Sequence, residues 1–176
     1  KQSEGVIAVF EQLPVRLDQI DTNDTPLILA AESIEKPGNL GAMLRTADAS
    51  GANGFVAVGE TADVFNPNAI RASTGALFSV PVAVCSLDDF GPWLREKSIQ
   101  LVAASPDSPD TLWDTDMTGA SALMVGTEDK GLSESARERS DRLVMIPMSG
   151  SSDSLNTSVS LALLAFEAVR QRTAVG

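Results

Sequence analysis

Apolar residues along this chain cluster in short runs separated by turn-forming residues. Runs of this length, with little polar alternation, are typical of strands buried on both faces of a parallel sheet. They predict seven strands, over residues 5–10, 27–32, 54–59, 80–85, 101–105, 122–126 and 143–148.

The segments between these runs carry apolar residues at helical spacing, and several of them stop at glycine or at a basic residue. They predict five helices, at Asn39–Ser50, Pro67–Thr74, Asp89–Lys97, Ser133–Arg139 and Leu155–Arg172. Because strands and helices alternate, we expect one α/β domain, with a mostly parallel sheet flanked by helices on both faces.

The last predicted helix is apolar on two sides. Its two apolar stripes consist of Leu155, Val159, Leu163 and Phe166, and of Leu161, Leu164 and Ala168. A helix with two apolar faces is buried on both. It is therefore either a central core helix or a core helix whose second face meets a partner subunit.

Composition narrows the chemistry. There is one cysteine, Cys85, which lies in an apolar run and is interpreted as buried packing, and there are no histidines. Disulfides, the usual zinc sites and serine–histidine catalysis are therefore excluded, and we expect no metal. No stretch is long and apolar enough to span a membrane and no signal peptide opens the sequence, so a cytoplasmic protein is expected.

The net charge of −11 argues against a broad nonspecific grip on nucleic acid. Between Lys97 and Lys130 there are six acidic residues and no basic one, which we interpret as a solvated acidic edge.

Ligands of open α/β sheets bind at the carboxyl ends of the strands, so the turns that follow the strands are the places to search. Three are rich in glycine or serine: "SIEKPGNLGAMLRTADASG", "GTEDKGLS" and "SGSSDSLNTSVS". None contains the G-x-G-x-x-G pattern of dinucleotide-binding folds.

The second of these turns has the glycine spacing of a phosphate-binding loop without its chemistry. Gly126 and Gly131 are correctly spaced, but Leu132 replaces the lysine that contacts the phosphates, and Glu128 and Asp129 lie inside the turn. Two carboxylates would repel a triphosphate at short range. These replacements argue against a nucleotide hydrolase built on this turn.

Five stretches, in order, resemble the SpoU, or TrmH-like, ribose methyltransferases of the SPOUT superfamily. They are "NLGAMLRTADASGANGFVAVG", "IRASTGALFSVPV", "LMVGTEDKGLS", "LVMIPM" and "SLNTSVSLALLAFEAVRQR". The resemblance implies S-adenosylmethionine as methyl donor and an RNA ribose 2′-hydroxyl as acceptor, with ribosomal RNA the favoured substrate and transfer RNA the alternative. It also implies a homodimer and a deep C-terminal trefoil knot.

The resemblance assigns roles to particular residues. The donor pocket is formed by Gly126, Thr127, Ile146, Met148 and Leu155. The polar residues of the active site are Asn39, Arg45, Glu128, Ser154 and Asn156.

Arg45 is expected to hold the RNA phosphate and to stabilise the developing alkoxide, with Glu128 and Asn39 orienting it. From spacing alone, the favoured interpretation of Arg45 is an ordinary solvated arginine on a helix. A catalytically silent RNA-binding member of the family would be expected to lose one of Asn39, Arg45, Glu128 or Asn156, and all four are present.

Arg71 matches a position of the ribosomal-RNA branch and is either an RNA contact or half of a structural salt bridge. That branch carries an additional N-terminal RNA-binding domain. We therefore expect residues 1–24 to be a junction and first strand that follow such a domain, and residues 25–176 to be the catalytic domain. Either a basic upstream segment or an acidic proteome adapted to high salt would explain the net charge.

Overall fold

The computed structural model describes residue 5 and residues 9–152 and 154–175. Its sheet has six strands in the order β3-β2-β1-β5-β4-β6, and every pairing between them is parallel. The strands are Leu27–Glu32 (β1), Gly54–Val58 (β2), Val82–Cys85 (β3), Gln100–Ala104 (β4), Ser121–Val125 (β5) and Arg142–Val144 (β6).

Five α-helices connect or follow the strands. They are Pro37–Ala49 (α1), Pro67–Ser73 (α2), Leu87–Glu96 (α3), Glu134–Arg139 (α4) and Thr157–Val175 (α5). Short 3₁₀ turns lie at Leu17–Gln19, Ala76–Phe78 and Leu112–Asp114. The predicted α/β class is confirmed.

The sheet separates two apolar layers. Along β1, Leu27, Leu29 and Ala31 face one layer while Ile28 and Ala30 face the other. The first layer receives helices α1, α2 and α5, and the second receives α3 and α4. The expectation of helices on both faces is therefore confirmed.

This layering creates a ligand crevice at the middle of the sheet. Strands β1 and β5 are neighbours, yet β1 leads into α1 on one face and β5 leads into α4 on the opposite face. Connections that diverge in this way leave a gap at the carboxyl ends of the two strands, which is where open α/β sheets bind their ligands.

Two predicted strands need correction. The strand expected over 143–148 ends at Val144; Met145 makes only an isolated bridge to Thr111, and the following residues leave the sheet. In the strand expected over 5–10, residues 6–8 lie outside the described part, while Val9 and Phe10 are exposed and not in a strand. Apolar character alone does not fix strand length, because apolar residues also line cavities and uncovered surfaces.

The last helix begins two residues later than predicted because Asn156 caps it. The Asn156 side-chain oxygen accepts a hydrogen bond from the Ser158 amide at 2.9 Å, which leaves Leu155 and Asn156 outside the helix. Asparagine is among the best N-cap residues. The later start of the helix leaves the Asn156 side-chain amide available to the site described below.

The two apolar stripes of α5 differ in burial. Leu161, Leu164 and Ala168 are buried in the first layer, whereas Val159 and Phe166 are 46% and 48% exposed. Val159 and Phe166 are therefore not covered by the described core, although Leu163 of the same stripe packs against it, and the partner-subunit alternative stays open. None of the helices in the described ranges has the length and apolar character needed to cross a bilayer.

Cys85 is half-buried at the end of β3 and packs against the second layer, as interpreted from the sequence. Burial raises the pKa of its thiol to about 12, so it is not a reactive thiolate at neutral pH.

Helices α1 and α2 pack closely because Gly41 has no side chain. A Cβ at Gly41 would lie 2.4 Å from the Ala72 Cβ and 2.8 Å from the Ala69 carbonyl oxygen. We predict that Gly41→Ala lowers the free energy of unfolding by about 1–3 kcal/mol through this overpacking. Chemical denaturation monitored by circular dichroism measures the change.

Gly38→Ala in the same helix is the matched control. Nothing lies within 4 Å of a Cβ at Gly38. Alanine is the better helix former, so this substitution is expected to be neutral or to stabilise by up to about 1 kcal/mol. Equal effects of the two substitutions would contradict the assigned close contact.

Candidate active site

The turn after β5 folds back on itself. Thr127 and Gly131 exchange backbone hydrogen bonds of 2.9 and 3.1 Å, and Gly131 adopts a positive φ of 65°. A Cβ at Gly126 would lie 2.1 Å from the Gly131 carbonyl carbon and 2.3 Å from the Leu132 nitrogen. Only glycine therefore fits at Gly126, and the spacing of two glycines serves a closed turn.

This turn does not have the properties of a phosphate loop. A phosphate loop directs free backbone N–H groups at its anion. Here the amides of Thr127 and Gly131 donate to one another's carbonyls, that of Lys130 donates to the Thr127 hydroxyl, and that of Ser133 donates to Glu32. These amides are already occupied, which argues against the nucleotide hydrolase.

Glu32 anchors the end of the turn to β1. Its buried carboxylate accepts hydrogen bonds from the Ser133 amide at 2.8 Å and from the Ser133 hydroxyl at 2.6 Å. Ser133 in turn caps α4 by accepting from the Ala136 amide at 3.1 Å. The sequence analysis missed Glu32, although an acidic residue closing a buried strand was a signal for it.

A cleft of about 640 Å³ opens between the carboxyl ends of β1 and β2 and the turn after β5. Asn39 and Glu128 line it. Glu128 Oε1 accepts hydrogen bonds of 2.8 Å from the side-chain amides of both Asn39 and Asn156, and Asn156 also donates to Asn39 Oδ1 at 3.2 Å. The structure thus brings together three of the predicted polar residues, from three separate segments of the chain.

Lys36 completes this cluster. Its ammonium group pairs with the second oxygen of Glu128, Oε2. The hydrogen bond from Lys36, followed by that from Asn39, lowers the pKa of Glu128, and Glu128 correspondingly raises the pKa of Lys36. Both groups are therefore charged at neutral pH. The sequence analysis missed Lys36; its position just before α1 and near the predicted Asn39 was the available signal.

Arg45 does not join the cluster within the described chain, so the expectation that Glu128 and Asn39 orient it stays a prediction. Arg45 follows Asn39 by six helical residues, about 9 Å along the helix axis and about 240° around it. Glu128 is instead engaged by Lys36, Asn39 and Asn156. Arg45 is exposed, and within the described residues it makes no side-chain hydrogen bond or ion pair.

Arg71 is also exposed, on α2. Its only side-chain hydrogen bond among the described residues runs to Asn68 in the same helix, at 3.4 Å, and no carboxylate pairs with it there. The structural salt bridge considered for Arg71 is therefore not formed in this part of the chain.

A second cavity, of about 320 Å³, lies on the other side of the turn, toward β4 and β6. The five residues expected to hold the donor all line this one cavity, together with the exposed Ser154: Gly126, Thr127, Ile146, Met148 and Leu155. Ile146 and Met148, which follow β6 outside the sheet, thus form part of the cavity wall. Stretch 126–132 and Thr157 border both cavities.

Comparison with known proteins identifies the family. The SpoU rRNA Methylase family matches residues 26–166, so the chain belongs to it. The 23S rRNA (uridine(2479)-2'-O)-methyltransferase of Streptomyces viridochromogenes is 38% identical over 173 residues, covering 95% of this chain and 60% of the relative. The 23S rRNA (guanosine-2'-O-)-methyltransferase RlmB of Escherichia coli K12 is 38% identical over 157 residues, covering 89% and 65%.

The chain thus spans about 60–65% of the length of these curated relatives. Among solved structures, the SpoU methyltransferase AviRb from Streptomyces viridochromogenes, in complex with the cofactor AdoMet, superimposes with a TM-score of 0.89 at 35% identity. The match covers 93% of this chain and 67% of that one. The tRNA-modifying enzyme TrmH/SpoU of A. aeolicus has a TM-score of 0.74 at 25% identity, with 88% and 81% covered.

We predict that Lys36→Met raises the pKa of Glu128 toward the ordinary glutamate value of about 4.3, because the largest interaction favouring the carboxylate is removed. The carboxyl-carbon resonance of Glu128 followed by NMR across the acid pH range measures this pKa. Lys130→Met is the matched control: Lys130 lines the same cleft but does not pair with Glu128 in the described structure. An unchanged Glu128 pKa in Lys36→Met would refute the pairing.

Proposed function

We propose that the chain is the catalytic domain of an S-adenosylmethionine-dependent methyltransferase that acts on a ribose 2′-hydroxyl of RNA. The observation that supports the proposal is a pair of adjoining cavities that share one turn. The donor residues line the smaller cavity and Asn39 lines the larger one, while Glu128, which accepts hydrogen bonds from Asn39 and Asn156, lines both. The curated relatives favour ribosomal RNA over transfer RNA as substrate, and hence a cytoplasmic enzyme.

The residues of the smaller cavity fit the donor. Val144, Ile146, Met148 and Leu155 supply an apolar wall suited to an adenine ring. The closed turn offers little to an anion, which suits a donor that carries no phosphate. When bound there, S-adenosylmethionine supplies an electrophilic methyl group on a positively charged sulfur.

On the acceptor side, the polar cluster is built to orient rather than to deprotonate strongly. The lowered pKa of Glu128 makes its carboxylate a weak base, and the raised pKa of Lys36 keeps the ammonium protonated. We assign these residues, with Asn39 and Asn156, to positioning the ribose and to balancing the charge that develops on its oxygen. Ser154, at the mouth of the donor cavity, is assigned to the same polar site.

Arg45 is assigned to the RNA backbone. An exposed guanidinium with no acidic partner among the described residues is suited to a phosphate, and Arg71 is proposed as a second, weaker RNA contact. With 13 basic and 24 acidic residues, the chain has little further basic surface to offer. We therefore propose that a preceding RNA-binding segment contributes most of the affinity for RNA.

The assembly and the threading of the chain complete the proposal. The exposed stripe of Val159 and Phe166 on α5 supports a homodimer formed through that face. The C-terminal trefoil knot stays a prediction from the family resemblance.

We predict that Arg45→Ala lowers methyl transfer by at least about 100-fold, because the substitution removes the guanidinium that is assigned to the RNA. Donor affinity should stay within a few-fold, because Arg45 lines neither cavity. Transfer is measured with labelled S-adenosylmethionine and ribosomal RNA, and a 2′-O-methyl product is recognised by resistance to alkaline cleavage. Donor affinity is measured by calorimetry.

Arg95→Ala is the control for a nonspecific loss of positive charge, since Arg95 is exposed on α3 at the opposite face of the sheet. It is expected to change transfer by less than a few-fold. A parent chain that binds ATP but not S-adenosylmethionine would overturn the proposed function itself. A folded Arg45→Ala protein that loses the donor would contradict the role given to Arg45.

We also predict a dimer mass by light scattering at micromolar concentration, and a monomer mass after Phe166→Asp, because a charge at the centre of an apolar interface is left unpaired. Ser135→Asp, at an exposed position of α4 on the other face of the sheet, is the control and should remain dimeric. A parent protein that is monomeric at this concentration would exclude the proposed interface.

A further inference from the structure

The donor cavity has a charged end that the residues discussed above do not explain. Its lining combines apolar side chains such as Val144, Ile146 and Leu155 with charged ones. Besides the charged residues of the turn, Arg137 of α4 and Asp107 of the loop after β4 line it. Arg137 Nη1 lies 3.5 Å from Asp107 Oδ2. Asp107 is largely exposed and Arg137 is partly exposed, so a ligand in the cavity can reach both charged groups.

Both members of the pair are held in place by the fold. Arg137 Nη1 donates to the hydroxyl of the buried Ser105 at 2.7 Å. The Ser105 amide donates to the Val144 carbonyl at 2.9 Å, and the Ser108 hydroxyl donates to the Leu143 carbonyl at 2.7 Å. The loop that carries Asp107 is therefore fastened to β6 at two points.

The pair also retains unused hydrogen-bonding capacity. All contacts of Arg137 in the described structure involve Nη1, so Nε and Nη2 remain as a planar pair of donors. Arg139, two residues later, shows the contrasting case: its two terminal nitrogens donate to the Leu87 carbonyl and to Asp88 across the α3 packing surface. Arg139 therefore has both terminal nitrogens engaged in structural hydrogen bonds, whereas Arg137 has only one engaged in the described structure.

We propose that Arg137 and Asp107 bind the amino-acid end of the methyl donor, with the guanidinium holding its α-carboxylate and the aspartate holding its α-ammonium group. A zwitterion matches a neighbouring cation and anion, and a guanidinium fork binds a carboxylate in a bidentate manner. This assignment rests on the proposed function, because it takes S-adenosylmethionine as the ligand of the cavity. The assignment places the amino-acid part of the donor, which does not react, at the end of the cavity formed by Arg137 and Asp107.

The test compares two ligands that differ only in the amino-acid end. S-adenosylhomocysteine carries that end, and 5′-methylthioadenosine has the same thioether nucleoside without it. Calorimetry on the parent should show binding of both, with S-adenosylhomocysteine the tighter. Arg137→Gln should weaken S-adenosylhomocysteine by about tenfold or more, as expected for charge-assisted hydrogen bonds, and leave 5′-methylthioadenosine within about twofold.

Three further variants sharpen the result. Asp107→Asn should weaken S-adenosylhomocysteine by a few-fold and leave 5′-methylthioadenosine unchanged. Arg137→Lys, which keeps the charge without the fork, should restore part of the loss. Lys130→Gln tests the other cation that lines the cavity and should leave the affinities for both ligands unchanged.

Three outcomes would overturn the assignment: a folded Arg137→Gln protein with parental affinity for S-adenosylhomocysteine, a parallel loss of both ligands, or a selective loss in Lys130→Gln instead. A parent that binds neither ligand would remove the proposed function as well. Binding of S-adenosylhomocysteine by the parent, with no selective effect of Arg137→Gln, would leave the proposed function standing and remove only this assignment.

Discussion

The site depends on the closure of one turn. Because Gly126 has no Cβ, the backbone of Gly131 and Leu132 packs directly against it, and the chain returns to the sheet within a few residues. Glu32 then fastens the far end of the turn through Ser133. A larger residue at Gly126 would separate these backbones and alter both cavities at once, since the turn borders each of them.

The turn also organises the electrostatics of the site. It places Glu128 at the edge of the larger cleft, where Lys36 and two asparagine amides satisfy both carboxylate oxygens. On the other side it borders a cavity that has an apolar wall and, beside the charged residues of the turn itself, the Arg137–Asp107 pair. In the proposed function the methyl donor and the ribose occupy adjoining cavities that share residues 126–132, so the methyl group and the ribose oxygen can come into contact at their common border. Each cavity is nevertheless lined by a different set of further residues, which lets each match its own ligand.

Much of this arrangement could be predicted from the sequence. Apolar runs located five of the six strands closely because buried parallel strands are apolar throughout, and the glycine spacing located the turn. The end of β6 could not be found in this way, because Ile146 and Met148 are apolar residues that line a cavity and do not belong to the sheet. The start of α5 was missed because Asn156 reads equally well as a cap or as a helical residue.

The contacts within the site were harder to predict than its location. Asn39 and Arg45 lie close in sequence and were expected to act together, but helical geometry directs them to different sides of α1. Lys36 and Glu32 were missed because their partners, Glu128 and Ser133, are roughly a hundred residues away in the sequence. These residues come into contact because they lie at or after the ends of strands β1 and β5, which are neighbours in the sheet. Such pairings depend on topology, which periodicity and spacing do not determine.

The assignment of the donor to the smaller cavity is tested most directly by a crystal structure of the chain with S-adenosylhomocysteine. We predict that the product occupies the smaller cavity, against Gly126, Ile146 and Leu155, with the turn and the Lys36–Glu128 pair unchanged. Electron density for the ligand in the larger cleft, or a turn opened by the ligand, would contradict this assignment.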